Sequence, residues 1–390
     1  MRSAGGRGNR IRNPTVVSMT MTAPAELAAI DRQLKDPAEF TESVQQKYQR
    51  DYRDLFNTMK DLGYMRRRYG WYAFRTVMLL AGLALGVAVL FIVGPSPWQL
   101  LNAVWFSFLF TQVAFMAHDG AHRQIFESGK ANEWFARIIG NAIVGLSYGW
   151  WMRKHGAHHA QPNKIEKDGD IAPGAIVFTA HDAAKITGVR AWFLARQHWY
   201  FYPILLLAGA DLHVNAVKMV FGKAPFPNRI AEGSLVLLRL IGFPVLVFLA
   251  IGPWWGLAFL AVQVGTFGLY MAGSFAPNHK GMPVIPKELN IDFLRRQTLL
   301  SRNISGGPVA GFLMGGLNYQ IEHHLFPSMP SIALRKAQPI VREYCANNNV
   351  RYAETTFLGS HRIIINYIKR VGLKHADPFS CPVTAQFRSR

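Results

Sequence analysis

Cysteine is almost absent from this chain of 390 residues: only Cys345 and Cys381 occur. Two isolated thiols suggest no disulfide framework and fit a reducing, cytosolic environment. Charge is also scarce, at 17% of residues where soluble domains run at about a quarter, while half of the residues are hydrophobic. The formal net charge is nevertheless +20. No nucleic-acid motif and no basic-aromatic array accompanies that charge, so no nucleic acid is expected as a partner. Anionic lipid or an acidic protein remains. Arg2, Arg7, Arg10 and Arg12 alternate with Gly and Asn, and no apolar stretch follows them. That pattern lacks a signal peptide's core, and residues 1–40 read as a disordered tail.

The long apolar runs are what the chain has instead. Trp71 to Val93 contains one charge, Arg75, and is long enough to cross a hydrocarbon layer of ~30 Å. Gly94-Pro95-Ser96-Pro97 breaks it, and a second run extends from Trp98 to Ala117. The same hairpin recurs as Ser234 to Ile251, a Gly252-Pro253 break, and Trp254 to Phe275. The expected fold class is therefore all-α, an integral membrane protein with four transmembrane helices in two hairpins, spanning about 71–93, 98–117, 234–251 and 254–275. Outside these spans lie 41 of the 43 Lys and Arg residues, Arg75 and Arg239 being the exceptions. The positive-inside rule puts that side, with both termini, in the cytosol. Trp134 to Trp151 and Trp192 to Ala208 are apolar but interrupted, and a shared site for the histidines below requires both to lie in the interface or within protein.

Around the membrane domain, residues 71–350, two cytosolic segments are expected. Residues 41–70 read as an amphipathic helix with Tyr48, Tyr52, Leu55, Met59 and Leu62 at spacings of three and four. It ends in a collar of Arg66, Arg67 and Arg68. Residues 351–390 form the C-terminal segment.

Seven of the thirteen histidines fall into three short clusters. They are His118-Asp119-Gly120-Ala121-His122, His155-Gly156-Ala157-His158-His159 and Gln320-Ile321-Glu322-His323-His324. On a helix, residues three and four apart share a face, so each cluster converges. A lone pair of this kind is weak, and a histidine with a satisfied hydrogen bond is its ordinary explanation. Three convergent clusters in one basic membrane protein are not explained that way. So many neutral nitrogen ligands suit two transition-metal ions better than one tetrahedral zinc. The expected metal-facing residues are His118, His122, His155, His158, His159, His323 and His324, with Gln320 either a ligand through its carbonyl or an orienting group. His279 follows the fourth span, where an extra ligand would be well placed. Asp119, Asp168, Asp170 and Glu322 are candidates to accept an imidazole's second proton, and Asn163 or Asn278 could support a ligand. His181, His198, His213, His361 and His375 are isolated and read as ordinary.

The three boxes, their order, the hairpins between them and the continuation Gln320-Ile321-Glu322-His323-His324-Leu325-Phe326-Pro327 resemble the membrane fatty acid desaturase superfamily. The third box is similar to the Gln-bearing branch that includes front-end and linoleoyl-type acyl desaturases. The resemblance covers roughly residues 50 to 350. It implies a cytosolic helical cap holding two non-haem iron ions, with His118, His122, His155, His158, His159, His279, His323 and His324 as ligands and Gln320 where other members have His. It implies O2 as co-substrate, a long-chain acyl group (acyl-CoA or acyl-lipid) as substrate, and a cis double bond as product. The catalytic set would be the seven box histidines. The membrane would be the plasma membrane in a bacterium, with lipid around the protein and the site facing the cytosol.

One departure matters. Many Gln-type members carry a fused cytochrome b-like domain with a His-Pro-Gly-Gly motif, and this sequence has none. A separate donor, such as a ferredoxin with its reductase, is then expected. Hydroxylation of an acyl group on the same scaffold is the nearer alternative. A histidine-rich, zinc-dependent receptor or transporter is the alternative from another class, although transporters place ionisable groups inside their spans.

Overall fold

Glycine turns both hairpins. The computed structural model describes residues 42–376. The chain divides into two units, Met1–Gln46 and Lys47–Arg390. Of the first, only residues 42–46 are described, as helix, so the architecture below is that of the second. The tail expected over residues 1–40 lies outside the described residues, as does Cys381.

Helix α1 (Glu42–Asp61) leads to α2 (Tyr69–Val93), which packs antiparallel on α3 (Gln99–Ala121). Gly82 and Gly86 in α2 leave room for Trp105, Phe106 and Leu109 of α3. Between the helices Gly94 takes φ 62°, and in the second hairpin Gly252 takes φ 73°. Both are left-handed conformations that glycine adopts without a Cβ penalty, and Pro95 and Pro253 follow them. The Gln99 amide closes the first tip by donating to the carbonyls of Val89 and Gly94, each at 3.1 Å. Three short helices and a π-turn then form a belt: α4 (Gly129–Arg137), the π-turn Ile138–Val144, and α5 (Tyr148–Ala160), followed by α6 (Ala180–Ala184). Asn141 and Val144 are buried, so Trp134 to Trp151 is enclosed by protein at its centre. Trp192 to Ala208 is divided among α7 (Gly188–Leu194), α8 (Gln197–Leu205) and the start of α9 (Ala208–Phe221).

The second hairpin comprises α10 (Arg229–Leu237), the π-turn Leu238–Gly242 and α11 (Phe243–His279). Phe243 and Phe259 have ring centroids 6.2 Å apart, where an unbroken helix would set them ~24 Å apart along its axis. The chain therefore folds back at Gly252. Phe106 of α3 meets both rings, at 5.1 and 5.9 Å. Among the described residues, three helices are long and apolar enough to cross a membrane: Tyr69–Val93, Gln99–Ala121 and the 51-residue Arg229–His279. The last contains the Gly252 reversal. The pair α8 and α9, bent by 66°, would count as one more.

Beyond α11 come α12 (Phe293–Leu299), β1 (Asn303–Ser305), α13 (Gly307–Leu313), α14 (Gln320–Leu325), α15 (Ser331–Asn347), β2 (Glu354–Thr356) and α16 (Phe357–Ala376). Leu55 and Met59 of α1 join Leu294, Ile321, Leu325, Phe326 and Leu334 in one buried cluster. Tyr52 Oη donates to the Leu325 carbonyl at 2.9 Å. Two expectations need correction. Leu62 lies just past the end of α1 and is 49% exposed, so it does not continue the apolar face. The fold is not all-α, because β1 and β2 pair in parallel, Asn303 to Glu354 through Ser305 to Thr356. Three residues per strand is too short for a period-two pattern to show, although Ile304, Thr355 and Thr356 are β-branched.

Helices α9 and α11 cross where Gly209 faces Gly268. A Cβ on Gly268 would collide with the Gly209 nitrogen and lie 2.7 Å from the Leu205 carbonyl, whereas one on Gly273 meets nothing within 4 Å. Gly268→Ala is therefore expected to destabilise the protein by about 1–3 kcal/mol. Gly273→Ala is the control and should leave the thermal melt in detergent unchanged. Equal melting temperatures for the two would show that the crossing is looser than described.

Candidate metal centre

The three boxes and His279 come from four separate elements and meet at one end of the hairpins. His118 and His122 lie at the C-terminal end of α3, and His279 is the last residue of α11. The second box rides on α5, whose N-cap Ser147 accepts from Trp150 N. The Ser147 hydroxyl also donates to Glu232, which accepts from Gly149 N at 3.0 Å and lies 3.4 Å from Arg137 Nε. This buried carboxylate ties the start of α5 to α10 and α4. The third box forms α14. There Asn303 of β1 accepts from Ile321 N at 2.9 Å and donates to Glu322 at 2.7 Å, while Tyr352 donates to the other Glu322 oxygen at 2.7 Å. The strand pair thus fixes the helix that carries His323 and His324.

Eight histidines divide into two sets. In the first, His118, His122, His155, His159 and His323 bring one nitrogen each within 4.8 Å of all the others, and His158, His279 and His324 do the same in the second. Every histidine expected at the site is present in one of these sets. Gln320 lies beside the second: its amide nitrogen is 2.9 Å from His279 Nε2, and its carbonyl oxygen accepts from Asn278 at 2.9 Å. The Asn278 amide also donates to the Leu317 carbonyl, which fixes its sense. Ligation through the Gln320 oxygen would require its amide to turn over.

Outer contacts fix the second set's tautomers. His158 Nδ1 faces Asp168 Oδ2 at 2.9 Å, His324 Nδ1 faces Gln297 Oε1 at 2.9 Å and His279 Nδ1 faces the Leu300 carbonyl at 3.0 Å. A ring nitrogen beside an oxygen acceptor carries the proton, which leaves a lone pair on Nε2. His158 Nε2 and His279 Nε2 are nevertheless only 3.2 Å apart. His122 and His155 approach at 2.8 Å, and His159 and His323 at 3.2 Å, again through Nε2. Both nitrogens of His118 and Nε2 of His324 are buried without a hydrogen-bond partner. Burial, and then the neighbouring rings, hold His122, His155, His159, His323 and His324 well below the ordinary imidazole value of 6.5. With their protons on Nδ1, His158 and His279 bring two lone pairs together, which repel unless a cation lies between them. With the unpartnered nitrogens of His118 and His324 and one convergent nitrogen from each ring, the two donor sets fit metal ions.

The carboxylates beside the boxes divide in role. Asp168 accepts from the His158 ring and from Asn163 N at 2.7 Å. Asp119 is 3.5 Å from His118 Nδ1, but its close partners are Ser331 at 2.6 Å and Tyr72 at 3.1 Å. Glu322 serves Asn303 and Tyr352. Among the isolated histidines, His213 pairs with the Val144 carbonyl and His361 with Tyr202. Gln297, Asn303, Tyr352 and Glu232 support the site without any motif that would reveal them in the sequence. Gln297 also donates to the His159 carbonyl, joining the two sets.

A cavity of about 330 Å³ opens on the histidines. His118, His155, His158, His279 and Gln320 line it together with Ala114, Ala117, Leu146, Leu205, Leu212, Met271 and Phe275. Its size lies within the range of small-molecule sites, and its walls are mostly apolar away from the rings.

Residues 95–356, more than half of the chain, match the fatty acid desaturase family. The chain is 30% identical over 345 residues to the acyl-lipid (9-3)-desaturase of Borago officinalis, covering 84% of this chain and 76% of that one. It is 27% identical over 342 residues to the Delta(6)-fatty-acid desaturase fat-3 of Caenorhabditis elegans, with the same shares covered. With the Delta 8-(E)-sphingolipid desaturase of Komagataella phaffii it shares 27% over 343 residues, 81% of this chain and 61% of that protein. The chain belongs to the fatty acid desaturase family as an oxidoreductase of lipid metabolism, and its relatives are consistent with the front-end acyl branch.

Proposed function

We propose that this protein introduces a cis double bond into a long-chain acyl group, using O2 and two electrons at a site that holds two iron ions. The observation that carries the reading is the pair of converging imidazole sets at the wall of an apolar cavity. The balance is simple: two adjacent methylenes lose one hydrogen each, and O2 with two electrons and two further protons becomes two waters. An unactivated methylene offers nothing to an acid, a base or a nucleophile. The irons, when bound, supply the oxygen-dependent redox chemistry that such a bond requires.

The protein's part is to bind, orient and exclude water. His118, His122, His155, His159 and His323 would hold one ion, and His158, His279 and His324 the other. Asp168, Gln297 and the Leu300 carbonyl keep the second set's rings turned inward. Gln320 acts beside His279, with its carbonyl occupied by Asn278. Ala114, Ala117, Leu212 and Met271 give the acyl tail a dry wall, where competing reactions with water are suppressed. The two hairpins support four spans, with the site on the cytosolic side to which the Lys and Arg excess points. In a bacterium that membrane would be the plasma membrane.

A host expressing the chain with a ferredoxin and its reductase should gain a new double bond by mass spectrometry of its fatty acids. His323→Ala should abolish that product, by at least a hundredfold. A new hydroxyl in place of the double bond would sink the desaturase reading. The basic surface suits an acidic electron carrier, so turnover with ferredoxin should fall as salt rises, and indifference to ionic strength would count against it.

Acid should act on the site directly. Burial keeps the folded rings neutral, while in the unfolded chain they titrate near 6.5. The unfolded state then binds more protons below that value, so stability is present above pH ~6.5 and is lost as pH falls through it. Chelated protein should melt at a constant temperature from pH ~8 to ~7 and progressively lower below ~6.5. His323→Ala should flatten that dependence, and a melt independent of pH would contradict the buried neutral rings.

A further inference from the structure

The cavity that ends at the histidines also has a charged rim. Lys154 and Asp170 line it with side chains 40% and 35% exposed, and pair at 2.8 Å. Lys154 Nζ lies 5.3 Å over the Trp150 ring. The other Asp170 oxygen is 3.5 Å from His158 Nδ1, so one carboxylate separates an ammonium from a candidate ligand ring. Lys280, next to His279, lines the same cavity and donates to the Asp170 carbonyl at 2.6 Å while lying 4.4 Å over Phe178. It forms no ion pair among the described residues. An ammonium has three N–H donors, and this contact uses one. A half-buried cation without a paired carboxylate is costly, and its free donors belong to the space that an occupant of the cavity would fill.

The charge around these lysines narrows the occupant. Asp168, Asp170 and Asp211 all act on Lys154, and the first two also act on Lys280. Two cations facing three carboxylates make no well for a free anion. They do make a cluster of strong hydrogen-bond donors for a neutral acceptor.

We propose that Lys154 and Lys280 hold the carbonyl end of the acyl substrate, and that this carbonyl belongs to a neutral ester rather than a free carboxylate. The inference rests on the desaturase reading and adds the position of the substrate's head. The ester carbonyl sits at the rim, and the tail runs past the histidines toward Leu146, Leu205 and Leu212. Asp170 joins Lys154 to the His158 ring, which places the anchored carbonyl beside the second set of rings. Lys154 and Lys280 then set which carbon of the tail lies opposite the histidines.

Binding can be read without turnover. Methyl stearate, stearic acid and octadecane would each displace a fluorescent acyl probe from the purified, metal-loaded protein in detergent micelles. The ester should compete about tenfold better than octadecane, the worth of one charged hydrogen bond. Lys280→Met should remove that advantage, and Lys280→Arg, which keeps the donors, should retain it. Lys154→Met repeats the test from the other side of Asp170, so a Lys280 variant that fails to load metal does not end it. In products, either Met variant should spread the double bond over neighbouring positions. Equal binding of ester and octadecane by the intact protein, an advantage that survives both Met variants, or tighter binding of stearic acid than of its ester would each overturn the proposal. An intact protein that binds the ester in preference but forms no double bond would instead sink the desaturase reading and leave the anchor standing.

Discussion

Three pairs of imidazole nitrogens face one another at 2.8 to 3.2 Å, and the fold has to keep them there. Burial holds the rings of His122, His155, His159 and His323 neutral, and where Nδ1 carries the proton, as at His158 and His279, the facing Nε2 lone pairs repel. No box could hold this arrangement alone, because each lies on a separate helix. The histidines are restrained from behind instead. Asp168, Gln297 and the Leu300 carbonyl grip the far nitrogens of the second set. The restraint comes from elements whose own positions are set by packing, as a preorganised site demands.

That packing explains the otherwise expensive groups in the interior. Glu232 is fully buried and accepts from Ser147, Gly149 and Arg137. A buried pair of this kind is weak evidence for stability, since its desolvation offsets much of its attraction. Its position gives a better account: it joins the first turn of α5, which carries three ligand candidates, to the entry of the second hairpin. Glu322 does the same for α14 through Asn303 and Tyr352, and the short parallel strand pair brings those two partners together. Both carboxylates make their hydrogen bonds to groups other than the candidate ligand rings and so align the helices that bear those rings.

The legibility of the sequence followed from this division of labour. Neutral nitrogen donors at helical spacing are supplied by histidine, so the box residues that converge here, His118 through His324, are legible by residue type and spacing. Hairpin tips must reverse the chain in few residues, so Gly94-Pro95 and Gly252-Pro253 were visible. Restraining groups have no such constraint on type. Gln297 needs only an oxygen in the right place, and nothing in its neighbours distinguishes it from a surface glutamine. Asp119 shows the limit of adjacency: next to a candidate ligand in sequence, it is bound more closely by Tyr72 and Ser331, which are distant in the chain. Sequence proximity to a box predicted Asp168 correctly because the loop after α5 returns at once to the site. Leu62 failed because a helical period says which face is apolar but not where the helix ends.

The location of the site at the ends of α3 and α11 has a further physical consequence. A lipid chain with a polar head can reach a buried reaction centre only if both of its parts stay solvated in kind throughout. Among apolar side chains alone, the head would lose its hydrogen bonds; among polar ones alone, the tail would lie in water. At the helix ends the two demands are met within one cavity. The wall of Leu212, Met271 and Phe275 and the rim of Lys154, Asp170 and Lys280 are both within reach of the same rings. On the proposed desaturase reading, the edge of the apolar wall would thus act as a ruler, and the carbon attacked would be the one that lies opposite the histidines when head and tail are each in their own solvent.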